Sequence, residues 1–104
     1  MRQNKNEKHK TQFPSVRGIR RACSRELYRT IKRLKVFIPA DKVEQAEKIY
    51  ARKVAENIAF IVENSDNHKV QADWWEEQVA PEIAELWNVP AEALAGAFRH
   101  SYGG

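Results

Sequence analysis

The sequence between positions 16 and 38 reads VRGIRRACSRELYRTIKRLKVFI. Its apolar residues recur at spacings of three and four, the pattern of one face of an amphipathic helix. These residues are Val16, Ile19, Cys23, Leu27, Ile31, Leu34 and Ile38. At about 100° per residue, most of the basic residues fall on the opposite side. The pattern therefore predicts a helix with a core face and a basic back, ending before Pro39 because a residue that precedes proline disfavours the helical conformation.

Positive charge is concentrated at one end of the chain. Residues 1–36 contain twelve Lys and Arg and two acidic residues, Glu7 and Glu26, a net charge of about +10. Residues 37–104 contain six basic and twelve acidic residues, a net charge of about −6. The small total of +4 hides this separation. The separation predicts a polyanion-binding surface at one end and an acidic body at the other.

The length and composition predict one domain preceded by an arm. Residues 1–13 are rich in Lys, Asn and Gln, with too little apolar area to offset the entropy of ordering, so we expect a disordered basic arm. Residues 14–104 are then a single helical domain. The one cysteine, Cys23, excludes an internal disulfide and lies in the apolar stripe, which predicts a small buried residue. No apolar run is long enough to span a membrane and no secretion signal is recognisable, so we expect a cytoplasmic protein.

Two capping boxes predict the next helix starts. Asp41 with Glu44 begins a second helix of about two dozen residues, which ends at the turn formers of residues 64–67. Its broad apolar face towards the end suggests central burial or a dimer seam. Asp73 with Glu76 begins a third helix with the tryptophans of residues 74–75 in its first turn.

Prolines mark the remaining boundaries. Pro81 either kinks the third helix or starts a fourth at its first turn. Pro90 precedes a last helix over residues 91–100, and the tail after it is expected to fray. No strand alternation is present. The fold class predicted is all-α, a small bundle of four to five helices.

The basic back of the first helix predicts a nucleic-acid-binding function. Duplex DNA carries a phosphate charge about every 1.7 Å of axis, and the Arg fork binds phosphate through two hydrogen bonds. The residues predicted to contact phosphates are Arg17, Arg20, Arg21, Arg25, Arg29, Lys32 and Arg33, assisted by Lys5, Lys8 and Lys10 of the arm. Arg20 lies close to the apolar stripe, where its stem can pack while its head reaches solvent. We expect an accessory or regulatory factor, with DNA or RNA as the partner left open.

Other interpretations of the basic helix remain. It can be a solvated face that pairs with carboxylates of the acidic body. A non-enzymatic adaptor or inhibitor would dock the same helix on an acidic protein surface, and a head-to-tail homo-oligomer would join the basic end of one copy to the acidic end of another. Binding to a membrane is not expected.

Residues 82–99, EIAELWNVPAEALAGAFR, resemble the helix-turn-helix motif of bacterial DNA-binding domains. Ala84 takes the small position of the first helix and Asn88 the turn, since Asn tolerates the left-handed conformation. The apolar positions of the second helix match Val89, Leu94, Ala97 and Phe98. The resemblance implies that Ala91, Glu92, Ala95, Gly96 and Arg99 face a groove, and of these only Arg99 reads guanine in the usual way. A packed helical pair that closes the core is the favoured alternative.

The adjacent tryptophans are a candidate protein-binding site. Trp74 and Trp75 point about 100° apart on a helix, so burying both in one core is difficult. We expect one in the core and the other exposed, where it would anchor a protein partner. The alternative is that both pack on different neighbours in one monomer.

No residue pattern indicates a reaction. His9, His68 and His100 lack metal-ligand spacing, and no Ser-His-Asp order, Gly-rich phosphate loop or carboxylate pair is recognisable. We therefore expect no enzyme, no catalytic residue, no metal and no cofactor.

Overall fold

A computed structural model describes residues 14–103, which form six α-helices and no strand. The helices are α1 (Val16–Leu34), α2 (Ala40–Glu56), α3 (Ile58–Glu63), α4 (His68–Gln78), α5 (Ala80–Trp87) and α6 (Ala91–Tyr102). The all-α class is confirmed, with more helices than the four to five predicted. The arm predicted over residues 1–13, with Lys5, Lys8, Lys10 and His9, lies outside the described residues, as does Gly104.

Helix α1 begins at Val16, the first residue of the predicted apolar stripe, and it ends at Leu34, before the limit that Pro39 sets. The Ser15 hydroxyl caps it by accepting a hydrogen bond from the Gly18 N–H at 3.0 Å. Its last residue is Leu34, and Lys35 takes the left-handed conformation with φ of 61°. The Lys35 N–H donates to the Ile31 carbonyl at 2.9 Å, which closes the last turn. Residues 36–39 then connect α1 to α2.

Both predicted capping boxes are wrong. Helix α2 begins at Ala40 with Pro39 as its N-cap residue, and no side chain caps it. Helix α4 begins at His68, where the Asn67 side chain accepts a hydrogen bond from the Val70 N–H at 3.1 Å. Trp74 therefore lies in the middle of α4 instead of its first turn.

The predicted long second helix is divided at Asn57. Its side-chain amide donates to the Lys53 carbonyl at 2.8 Å, and its backbone N–H is shared between the carbonyls of Lys53 and Val54. An Asn side chain that bonds nearby backbone groups competes with helix continuation, which explains the break. No residue of α3 is fully buried, so central burial of this apolar face is wrong, and the alternative of a dimer seam stays a prediction.

Pro81 starts a new helix instead of kinking one. Helix α4 ends at Gln78, Val79 connects, and Pro81 lies in the first turn of α5, where its missing N–H costs nothing. At the other end of the chain, Tyr102 remains helical and its hydroxyl hydrogen-bonds the Gln71 side chain at 3.2 Å. The expectation of a frayed tail is wrong at this residue.

The core lies where α6 packs antiparallel along α1. Phe98 and Tyr102 line the same cavity as Cys23, and the start of α6 lies beside Leu34. Cys23 is buried, as predicted, and so are Leu27 and Ile38 of the predicted apolar stripe, whereas Val16 is 77% exposed. The Trp75 and Phe98 rings stack with centroids 4.0 Å apart, and Tyr50 meets Trp75 edge to face at 5.9 Å.

No helix in the described part of the chain has the length and apolar character needed to cross a membrane.

Candidate nucleic-acid interface

The basic back of α1 lies on the surface, opposite the packed face. The exposed basic residues of the helix are Arg17, Arg21, Arg25, Arg29, Lys32 and Arg33. Arg20 is partly buried, and its Nε atom is covered without a hydrogen-bond partner among the described residues. This placement matches the interpretation that its stem packs near the apolar face. All seven predicted phosphate contacts within the described range therefore belong to one helix.

Five of these residues form an unbroken i, i+4 series, which we call the arginine row. Its members are Arg17, Arg21, Arg25, Arg29 and Arg33. Residues four apart are neighbours on a helix surface, so each guanidinium lies one turn from the next. The row turns by about 40° at each step, because four residues exceed one turn of 3.6 residues. It winds from the side of α2 towards the side of α6.

No side chain of the arginine row is paired with a carboxylate within residues 14–103. The salt bridges there use Arg52, Lys53, Lys69 and Arg99, none of which belongs to α1. Arg52 and Lys53 pair with Glu82, which joins α2 to α5. The interpretation that the acidic body neutralises the basic helix is therefore wrong for the described residues.

Within residues 14–103, three open grooves border the row; one of them combines Arg33 with Glu92 and His100, and the other two are more basic. The first of these two lies between α1 and α2, has a volume of about 610 Å³, and is lined by Arg17, Arg20, Arg21, Ser24, Arg25, Tyr28 and Glu47. The second lies between α1 and α6, has a volume of about 520 Å³, and is lined by Arg29, Lys32, Arg33 and Ser101. Glu47 is the only acidic residue described in either lining. Both grooves thus present cations, which suit phosphate oxygens, and the first also presents the Ser24 hydroxyl, whereas the Ser101 hydroxyl of the second donates to the Phe98 carbonyl.

Tyr28 is a residue of this surface that the sequence predictions did not name. It is 62% exposed and lines the first groove together with four arginines. The Lys32 Nζ atom lies 4.8 Å from its ring centroid, a cation–π contact. Its position in the sequence could have indicated this exposure, because Tyr28 lies outside the apolar stripe of α1 and on the side of the helix that carries the basic residues. An exposed ring in a basic groove offers a surface on which a base can stack.

The segment that resembles a helix-turn-helix forms two helices joined by a short turn. Asn88 has φ of 57°, and the Val89 N–H donates to the Ala84 carbonyl at 3.0 Å. Ala84, Leu94 and Phe98 are buried, as expected for a helical pair that closes a core. Among the implied groove-facing residues, Ala91, Glu92 and Gly96 are exposed, whereas Ala95 is buried.

Arg99, the one base-reading candidate of that segment, is already bound. Its Nη2 donates to Asp73 and, at 2.8 Å, to Glu76, which ties α6 to α4. Hydrogen bonds from Arg99 and then Lys69 lower the pKa of the Asp73 carboxyl. Asp73 and Glu76, predicted as a capping box, instead position this arginine. Reading guanine with Arg99 requires breaking both of its ion pairs.

Trp74 and Trp75 are both buried, at 9% and 1% exposure. The expectation that one of them stands exposed is wrong, because α4 packs against α6 and both indoles line the cavity that these helices form with α1 and α2. As partner-binding residues they are inaccessible in the described fold. The alternative, that both pack within one monomer, agrees with the structure.

No group of three His, Cys, Asp or Glu side chains within residues 14–103 is placed to hold a metal ion. His68 packs its ring against Tyr102 with centroids 4.7 Å apart, and His100 is exposed on α6.

Comparisons with known proteins give no relative. No protein-family model, curated protein or solved structure matches the chain. Function is therefore inferred from the geometry and charge of the described residues.

Proposed function

We propose that this protein binds nucleic acid by contacting the phosphate backbone through α1, as a non-enzymatic accessory or regulatory factor. The observation that carries the proposal is the arginine row, which is exposed and has no carboxylate partner among the described residues. A guanidinium that is not neutralised within the protein is free to displace the counterions condensed on a polyanion. Each displaced counterion adds affinity that depends on salt and not on sequence.

The surroundings of the row support phosphate contact rather than base reading. The groove between α1 and α2 brings the Ser24 hydroxyl next to guanidinium groups, and the groove between α1 and α6 adds the guanidinium groups of Arg29 and Arg33. Phosphate oxygens accept hydrogen bonds from both kinds of group. The lysines Lys5, Lys8 and Lys10 of the arm add charge to the same end of the chain. The proposed binding is therefore tight at low salt and tolerant of sequence.

The test is a double charge reversal on the row. Arg25→Glu with Arg29→Glu changes the net charge by four units, and Lys48→Glu with Lys69→Glu makes the same change on the acidic body. Fluorescence anisotropy with mixed-sequence duplex DNA and with single-stranded RNA, each at two salt concentrations, measures the affinity. We expect the row variant to bind unrelated sequences more weakly, by similar factors. The slope of log K against log [salt] should become less steep by about 0.9 for each of the two lost phosphate contacts on duplex DNA.

The control variant distinguishes the effect of losing contacts at the interface from the effect of changing the net charge of the protein. It should bind almost as well as the unchanged protein, because long-range attraction is screened beyond about 10 Å at 0.1 M salt. Unchanged affinity of the row variant contradicts the proposal. Absence of binding to either nucleic acid at low salt favours the second candidate, an adaptor or inhibitor that docks the same helix on an acidic protein surface.

A further inference from the structure

A cavity of about 200 Å³ lies in the core, separate from the arginine row. Five helices contribute to its wall, and the wall is mainly apolar and aromatic. The side chains of the wall that matter here are Cys23, Glu26, Tyr50, Trp74, Trp75 and Phe98. Engineered apolar cavities of roughly 150 Å³ bind benzene in other proteins, so the volume suits a ligand with one aromatic ring.

Polar atoms in this wall lack partners. Glu26 Oε1, Trp74 Nε1 and Trp75 Nε1 are buried with no hydrogen bond to any described residue. The third tryptophan contrasts with them, because Trp87 Nε1 donates to the Lys42 carbonyl at 3.1 Å. A buried polar atom without a partner costs free energy, and an unpartnered carboxylate oxygen costs the most. Among the described residues, the wall therefore holds one acceptor that lacks a donor, the Glu26 carboxylate, and two indole N–H donors that lack acceptors; the charged oxygen is the more costly of the two kinds to leave unpaired.

The described lining of the cavity contains one charged side chain. Glu26 is the only acidic or basic side chain among the described lining residues. Burial raises the pKa of the Cys23 thiol to about 12, so this neighbour stays neutral at physiological pH. Arg20, the nearest cation along α1, lines the groove on the α2 side, and its charge still reaches the Cys23 thiol, whose pKa it lowers against the larger effect of burial. The aromatic rings present π faces, which attract cations.

We propose that this cavity binds a small organic cation, an ammonium group attached to one aromatic ring. The ring occupies the apolar volume against Trp75 and Phe98. The ammonium group donates to the Glu26 carboxylate and lies near the aromatic faces. Such a ligand supplies the donor that Glu26 lacks and the positive charge that its carboxylate favours.

The test uses benzylammonium and its neutral counterpart, benzyl alcohol, with the full chain freed of nucleic acid. Quenching or shift of tryptophan fluorescence reports binding, since two of the three tryptophans line the cavity. A thermal shift gives an independent measurement. We expect benzylammonium to bind about tenfold more tightly than benzyl alcohol, because both donate a hydrogen bond to the Glu26 carboxylate and only the ammonium adds a positive charge beside it.

Two variants locate the site. Glu26→Gln should remove the preference for the cation while leaving the binding of benzyl alcohol, because it keeps the shape and deletes the charge. Ala22→Leu, which fills the cavity from its wall, should abolish binding of both probes, and circular dichroism checks that each variant is folded. Equal affinity of the two probes for the unchanged protein, binding that survives Ala22→Leu, or no binding at millimolar concentration each overturns the proposal. None of these outcomes bears on the nucleic-acid interface, which lies on the other side of α1.

Discussion

At the scale of single residues, Tyr28 adds an exposed aromatic ring to the groove between α1 and α2, which otherwise presents mainly arginines. One face of its ring receives the Lys32 ammonium, and the side chain remains mostly exposed. Base–aromatic stacking contributes about 1–3 kcal/mol per base and requires an unstacked base. We expect Tyr28→Ala to weaken binding of single-stranded RNA about tenfold or more and to leave duplex binding nearly unchanged.

Two controls accompany this measurement. Tyr28→Phe keeps the ring and should restore single-strand binding, and Phe60→Ala removes an exposed aromatic of α3, outside both grooves. An equal loss on duplex and single strand would show that Tyr28 supports the helix surface rather than stacking with a base.

Because Cys23 is buried, we expect the protein to lose stability at alkaline pH. Burial raises the pKa of its thiol from 9.0 to about 12, and burial also raises the pKa of Tyr50. Between pH 9 and pH 12 the Cys23 thiol is ionised in the unfolded chain and neutral in the folded one. The unfolded state then binds fewer protons, so the free energy of unfolding falls as pH rises, by up to about 1.4 kcal/mol per pH unit.

Urea denaturation at pH 8 and pH 10 measures this effect. The fall in unfolding free energy should be smaller in Cys23→Ala than in the unchanged protein by about 1.4 kcal/mol. Tyr50 is present in both proteins and, because burial holds its pKa well above 10, it stays neutral in the folded state up to pH 10; its contribution is therefore nearly the same in both, although the Cys23 charge also acts on it. Identical pH dependence in the two proteins would contradict the assignment to Cys23.

At the scale of elements, the arginine row places like charges one turn apart along α1. Each such pair destabilises a helix by about 0.2–0.5 kcal/mol, and four pairs give about 1–2 kcal/mol. Arg21→Gln with Arg29→Gln breaks all four pairs. We expect this variant to be more stable by about 1 kcal/mol at low salt, measured by urea denaturation.

Salt should remove most of the difference. Screening at 1 M salt shortens the Debye length to about 3 Å, which weakens the repulsion in the unchanged protein. A stability gain that persists at high salt would come from helix propensity or packing and not from charge.

A helix could be predicted from sequence where its apolar residues recur clearly at spacings of three and four, as they do in α1. The apolar stripe of α1 predicted the buried Leu27 and the exposed arginines. The capping boxes failed because Asp73 and Glu76 bind Arg99, a residue more than twenty positions away. No local pattern contains that contact. Asn57 was missed because a single Asn within a helical pattern is compatible with either a break or a continuous helix.

At the scale of the whole molecule, the charge separation seen in the sequence becomes a spatial one. The ion pairs of the described residues lie on α2, α4, α5 and α6, while α1 keeps its charges exposed. Sequence alone could locate the basic surface, because it depends on one helix. It could not locate the cavity at Glu26, because five helices must meet to form it.

In the proposed complex, the length of α1 sets how much of the nucleic acid the protein covers. Nineteen helical residues extend about 28 Å, along a molecule whose longest dimension is 53 Å. The arginine row from Arg17 to Arg33 extends about 24 Å, which at 3.4 Å per step of a duplex strand corresponds to about seven base pairs. Oligonucleotides shorter than this footprint leave guanidinium groups uncovered, and longer ones accommodate several copies side by side.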